Sequence, residues 1–337
     1  MLCNEFLSLP RRSGSARNRL ASAGLLVAAA LVAGGCSINT YKPAVDGFAV
    51  AAGKASGAYA GLQTTVLSAH TERLEQSALT GKVRVRYRPN DCQTQSQRCR
   101  LEVTGGGKPP EDLVPELGNI TLLMHEIADY AANLQAVVNS DTAEQVSANL
   151  SAAGGSIKNL SGELAKAPGA GQAAGDIGAF ATPSANLAAW IAGEYVNSLQ
   201  VEALRKATQS ADPVIQQARS VLDGAASAAA DVTRSGLADQ LDAIRDDYLG
   251  ASNDRGRLER LMSAAADYDK VLTATAPGVF ADMAMAHHEL TDHLAGRNVS
   301  LADAFAAIQR FGAKADALQG IIDEFRAARA QAPAAKK

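Results

Sequence analysis

Residues 113–138 read LVPELGNITLLMHEIADYAANLQAVV. Leu123, Ile127, Tyr130, Leu134 and Val137 or Val138 recur at steps of three and four, which puts them on one face of an α-helix. The same texture extends to both sides. Asp141 with Glu144 three residues later has the form of a capping box, predicting a helix from there to about Lys166. Residues 167–181 are Gly/Ala-rich with Pro168 and read as a loop or hinge. Thr182-Pro183 then starts a helix whose apolar positions are Leu187, Trp190, Ile191, Leu199 and Leu204. Asp212-Pro213 repeats that start signal and predicts a new helix to Leu249, interrupted near Ser235-Gly236. Residues 254–275 form a further helix through Leu258, Leu261, Met262, Ala265, Tyr268 and Leu272. Pro277-Gly278 breaks it, and another helix runs from Phe280 to Leu294. Ser300 caps the last one, with Leu301, Phe305, Ile308, Leu318, Ile322 and Phe325 as its apolar positions. No repeat of fixed period is present, so a solenoid is not indicated.

Toward the N-terminus, helical texture begins near Pro43 and runs to about Leu79. Gly53, Gly57 and Gly61 recur every fourth residue there. Each costs a helix about 1 kcal/mol, so the expectation is that another helix packs closely on this ridge. The period then changes. Lys82, Arg84, Arg86 and Arg88 alternate with Val83, Val85 and Tyr87, the pattern of a strand with one basic and one apolar face. Residues 99–104 supply a second strand with Leu101 and Val103 on one face, and Gly105, Gly106 and Gly107 end it. If Cys92 faced Cys99 in a regular ladder, Arg88 would face Val103; matching the apolar faces needs a slip, which a bulge near Pro89 would supply.

Composition agrees with helices. Aromatic residues are 4% and Trp occurs once, so the core must be made largely of Ala, Leu, Ile and Val. The fold class expected is mainly α: an elongated multi-helix bundle with a small β-hairpin insert at 82–104.

The N-terminal segment has a different logic. Arg11, Arg12, Arg17 and Arg19 precede the apolar run 23–33 (AGLLVAAALVA), followed by Ala33-Gly34-Gly35-Cys36. Basic, apolar, then small residues is the order of a secretory signal peptide, and the run is shorter than the roughly 20 residues that span a bilayer. In this segment the chain resembles bacterial lipoproteins, whose signals end in a lipobox of an aliphatic or small residue, two small residues and cysteine. The resemblance covers residues 1–36. It implies diacylglyceryl attachment to the Cys36 thiol, cleavage before Cys36 and acylation (palmitate or a similar chain) of the new amine. Ser37 in place of Asp implies export to the outer membrane, on its periplasmic face. The organisation expected is a signal peptide at 1–35, a lipidated tether at 36–43, a helical domain at 44–330 carrying the insert, and a disordered tail at 331–337.

Removing the signal takes four Arg and one Glu from totals of 32 basic and 35 acidic residues, leaving 28 against 34 and a net charge near −6. Bulk charge therefore argues against nucleic acid as a partner. Cys3 leaves with the signal and Cys36 takes lipid, so Cys92 and Cys99 remain as an even pair in a chain sent to an oxidising compartment. That reads as one disulfide closing the hairpin. A metal or redox pair is the alternative, but the spacing fits neither CxxC nor a zinc knuckle.

Catalytic motifs are weak. In His287-His288-Glu289-Leu290-Thr291-Asp292-His293, the residue four after His288 is Asp292, so the HExxH of zinc peptidases is not met. Pairing of His288 with Asp292 on one helix face is the plain alternative. No phosphate loop or GxSxG elbow occurs, and no metal or cofactor is expected. The basic residues Lys82, Arg84, Arg86, Arg88, Arg98 and Arg100 form the one distinctive surface. Anionic lipid or an acidic envelope protein could meet it, and a solvated edge strand guarded by charge explains it equally. The function expected is a lipid-anchored, non-enzymatic envelope protein that binds or scaffolds other components. A membrane-active helical protein and, further off, a metal-dependent hydrolase are the alternatives.

Overall fold

The computed structural model describes residues 38–79, 81, 84–88, 100–104, 110–166, 196–250, 254–273 and 278–330. They are mainly helical. In chain order the elements are α1 (Ile38–Leu79), β1 (Arg84–Arg88), β2 (Arg100–Thr104), α2 (Pro110–Val138), α3 (Ala143–Lys166), α4 (Val196–Leu249), α5 (Arg255–Thr273), α6 (Val279–Leu294) and α7 (Leu301–Ala330). Residues 1–37, which include the expected signal peptide and Cys36, lie outside the described residues, as do Cys92 and Cys99, residues 167–195 with Trp190, and residues 331–337.

Among the described residues, four helices, α2, α4, α6 and α7, pack along α1. Its 42 residues give a rod of about 63 Å at 1.5 Å per residue. α2 runs antiparallel to it, with Gln135 donating to Asp46 at one level and Thr121 meeting Gln63 at another. α7 runs parallel to it: Ile308 lies by Gly47, Lys54 pairs with Asp316, and Arg326 lies by Gly61. α6 is antiparallel again, its His293, His287 and Phe280 rings meeting Tyr41, Phe48 and Tyr59. The core has the expected composition, rich in Ala, Leu, Ile and Val, with Phe48, Tyr59, Tyr130 and Phe311 as its large aromatic members. The stripe on α2 is buried as read, from Leu123 through Ile127, Tyr130 and Leu134 to both Val137 and Val138.

Several expectations are corrected. The 36–43 tether is not one from Ile38 onward: α1 begins at Ile38, and Ile38 and Tyr41 are buried. The glycine ridge carries close packing only at Gly61, where a Cβ would come within 2.7 Å of Arg326 Nη2 and 3.3 Å of Ile322 Cγ2 on α7. Gly53 and Gly57 are exposed with open space where a Cβ would stand. A further close approach lies outside the ridge at Gly47, where a Cβ would come within 3.1 Å of Ile308 Cγ2. Alanines 44, 51, 52, 55 and 58 form the packed face.

The cap of α3 is Thr142, not Asp141. Thr142 Oγ1 accepts from the Gln145 amide at 3.2 Å, and Gln145 Oε1 accepts from the amides of Asp141 and Thr142. This is a capping box one residue later, with Gln in the reciprocal place. Ser300 does cap α7, exchanging hydrogen bonds with Asp303. Asp254 caps α5 through the amides of Gly256 and Arg257.

Pro213 does not start a helix; it sits inside α4, which is also unbroken at Ser235 and Gly236. A mid-helix proline removes one backbone bond and costs about 3 kcal/mol. Here Ala207, Ala211, Val214, Ile215, Ala218 and Leu222 are buried on both sides of it, and their packing outweighs the local preference. The apolar positions of α5 do not form a core stripe, since Leu258 and Met262 are exposed.

Gly53→Ala and Gly57→Ala should each stabilise the protein by about 0.5–1 kcal/mol in urea denaturation, because exposed helical Gly→Ala gains propensity without a clash. Gly47→Ala should fail to stabilise, since Ile308 must move. Destabilisation by the first two would restore the close-packing reading.

Candidate functional site

The histidine cluster singled out in the sequence lies on α6, and three helices meet it. His287 is fully buried between the rings of Phe48 on α1 and Tyr130 on α2, each centroid 5.7 Å away. Its Nε2 is 3.0 Å from the Tyr130 hydroxyl and its Nδ1 is 3.0 Å from Asp212 Oδ1 on α4. Burial, with the charge of Asp212 adding to it, holds the Tyr130 phenol far above its ordinary pKa. A carboxylate only accepts, so Nδ1 carries the proton facing Asp212, and the phenol meets His287 at Nε2. The other carboxylate oxygen, Oδ2, receives His288 Nδ1 at 2.8 Å. His288 Nε2 lies 3.6 Å from Asp292, which Arg297 holds at 2.7 Å. The i,i+4 pairing of His288 with Asp292 is thus present, as the outer end of a chain running from Tyr130 in the core to Arg297 at the surface.

Electrostatics follow the geometry. Burial alone would push the Asp212 carboxyl up. The hydrogen bonds and charges of His287 and then His288 outweigh it and bring the pKa down to about 2. The hydrogen bond to Asp212 raises the His288 pKa against a smaller opposing effect of burial, and Asp292 and Glu289 add to the rise.

Sequence reading missed Tyr130 and Asp212 as partners of this cluster. Tyr130 was legible only as one member of an apolar stripe. Asp212 looked like a helix start, though its place among Ala211, Val214 and Ile215 marks a charge held in apolar surroundings. His293 goes elsewhere: its Nδ1 donates to the Val299 carbonyl at 2.8 Å and its ring lies on Tyr41. No group of three or more His, Cys, Asp or Glu is placed to hold a metal among the described residues. Tyr130 and His287 have no exposed surface, while His288 is half-exposed at the rim. What it does is fasten α2, α4 and α6 together.

A second fastening lies at one end of the bundle. Buried Gln200, on the first turn of α4, donates to the carbonyls of Val137, Val138 and Ser140 at 3.2, 3.3 and 2.7 Å. This closes the C-terminus of α2, whose last carbonyls lack helical partners.

The basic strand pairs with β2 antiparallel: Arg84 with Thr104, Val85 with Val103, Arg86 with Glu102, Tyr87 with Leu101, Arg88 with Arg100. The apolar positions face each other, and Arg88 meets Arg100 instead of Val103. The ladder is therefore not the one in which Cys92 directly faces Cys99. The register also places Glu102 among the basic positions, which the sequence reading left out. Arg84 and Arg86 are exposed. Lys82 and Arg98 lie outside the described residues.

No family model, curated protein or solved structure matches the chain. Among the described residues, no helix is long and apolar enough to cross a membrane.

The network predicts opposite pH dependences for its two exits. The lowered Asp212 pKa stabilises the fold above the unfolded value near 3.9, and that stability is lost as pH falls through about 2. The raised His288 pKa stabilises below about 6.5, and that contribution is lost as pH rises through the folded-state pKa. Asp212→Asn should cost about 2 kcal/mol between roughly pH 4 and 6.5, with the cost shrinking toward pH 2. His288→Gln should cost under about 1 kcal/mol near pH 5.5, because the ring is half-exposed, and nothing at alkaline pH. Urea denaturation across pH decides it; pH-independent costs for both variants would contradict the assignment.

Proposed function

We propose that the chain is a lipid-anchored, non-enzymatic protein of the outer membrane, facing the periplasm, whose helical bundle binds or scaffolds other envelope components. The observation that carries this reading is the start of α1. The bundle is already built at Ile38, which is buried, two residues after the lipobox cysteine. A cleavage site before Cys36 would therefore release a mature chain whose third residue, Ile38, belongs to the folded body. Burial of Tyr130 and His287, with Asp212 tying them to α4, supports a structural use of the histidine motif. Membrane attachment would come from lipid at Cys36, and Cys92 and Cys99 would form one disulfide in the oxidising periplasm. Two acyl-bearing groups suffice for stable anchoring without a spanning helix.

The paired strands, closed by that disulfide into a hairpin, are the proposed recognition element, and an anionic surface of an envelope partner is the ligand. Arginine suits carboxylate and phosphate through bidentate hydrogen bonds.

Mass spectrometry of protein purified from the envelope should find acyl groups on Cys36 and, in a non-reduced digest, a Cys92–Cys99 bond. Cys36→Ser should abolish the lipid and leave an unprocessed or soluble form. Unchanged lipid incorporation in that variant would overturn the anchor, and free thiols at Cys92 and Cys99 the pairing.

Replacing Arg84, Arg86 and Arg88 together with Gln should leave the melting temperature nearly unchanged, since exposed substitutions usually act within about 0.5 kcal/mol. It should weaken crosslinking to envelope partners, most visibly at low salt. A full set of crosslinked partners at low ionic strength would make the basic positions merely solvated; unfolding would make them structural.

A further inference from the structure

We propose that the end of the bundle formed by the start of α1, the α2–α3 turn and the α6–α7 turn is seated directly on the phospholipid headgroups of the membrane that holds Cys36. The proposal rests on the lipid-anchor reading above and adds to it a contact surface and an orientation.

Its first basis is the absence of slack. Ile38 and Tyr41 are 3% and 7% exposed, so the first turn of α1 cannot peel away as a leash without opening the core. One residue, Ser37, separates Cys36 from Ile38, so two Cα–Cα steps give a reach of roughly 7 Å even fully extended. Any lipid on Cys36 therefore draws this end of the bundle to the surface.

The second basis is what stands level with Ile38. α2 runs back along α1 so that Gln135 meets Asp46, which brings residues 139–142 beside the first turn. α6 runs the same way, with His293 on Tyr41, and brings residues 295–300 there as well. Both turns are fastened. Gln200 holds the carbonyls of the first. The second is held by His293 on Val299, Arg297 on Asp292, and the left-handed Gly296, whose φ is 72°. Together they make a firm base around the anchor point.

The third basis is its chemistry. The turns present polar residues, Asn139, Asp141, Thr142, Arg297, Asn298 and Ser300, which can hydrogen-bond headgroups. Nearby charges are mixed in sign: Lys42 and Arg297 against Asp141, Glu144 and Asp303. Such a face has no strong pull on an anionic membrane by itself, unlike a polybasic one. Contact is set by the anchor, and α1 rises from the surface, carrying the strands at its far end away from the bilayer.

The test uses the full-length protein, processed in cells, with the photo-crosslinking residue p-benzoylphenylalanine at Asn139, Asn298 or Ala317. Ala317 is an exposed control about 25 Å farther along α7. Each protein is reconstituted in phosphatidylcholine vesicles and irradiated, and lipid adducts are measured. Adducts at Asn139 and Asn298 should exceed those at Ala317 by about ten-fold, as tethering raises the local headgroup concentration only at the base. A Gly/Ser insert of about 20 residues between Ser37 and Ile38, with a reach near 25 Å, should bring them down to the Ala317 value while the lipid stays on Cys36. Equal adducts at all three positions, or none at the turns, on lipidated protein would overturn the seating alone. Adducts that survive the insert would overturn the claim that the anchor sets the contact. Absence of lipid on Cys36 would overturn the anchor reading and the seating with it.

Discussion

The burial of one face of α1 is the constraint on which the rest depends. Alanines 44, 51, 52, 55 and 58, with Val45, Phe48 and Tyr59, put a mostly small-residue face inside the bundle. Small side chains let neighbouring backbones approach, so α2 and α7 can both pack along the same helix at short range. The large groups are spent at few places. Phe48 is the main one, touching both Phe311 on α7 and His287 on α6.

Asp212 is the second determinant. A carboxylate held 15% exposed in an apolar stretch is unfavourable unless its charge is met. Both oxygens are met, one by each of two adjacent histidines. Adjacent residues on a helix point about 100° apart, so one ring enters the core while the other stays at the rim. The inner ring then needs an acceptor or donor at its far nitrogen, and Tyr130 supplies it. This chain of requirements fastens three helices and holds α4 in line through Pro213.

Helix existence was legible because the apolar period is long and regular on α2, α6 and α7. Helix ends were less legible. Asp141 and Thr142 are both good caps, and the choice fell to Thr142 because Gln145 can reach back from the third position. The α5 reading failed differently. Its apolar residues recur at helical spacing, yet the helix lies at the edge of the bundle with Leu258 and Met262 exposed. Periodicity reports that a helix could bury a face, and only a neighbour decides that it does.

The candidate site divides the same way. The sequence by itself determined the helical class, the Ala-rich core, the basic alternation of residues 82–88 and the mismatch of the histidine cluster with HExxH, because these depend on residue type and local spacing alone. Tertiary structure decided that Gly47 and Gly61, and not Gly53 or Gly57, take the close approach, that α4 runs unbroken through Pro213, and that His287 finds Tyr130 and Asp212. Those partners come from helices 157 and 75 residues away in the chain. No local pattern encodes such distances; they are set when buried faces close on one another and each buried polar atom must find a partner.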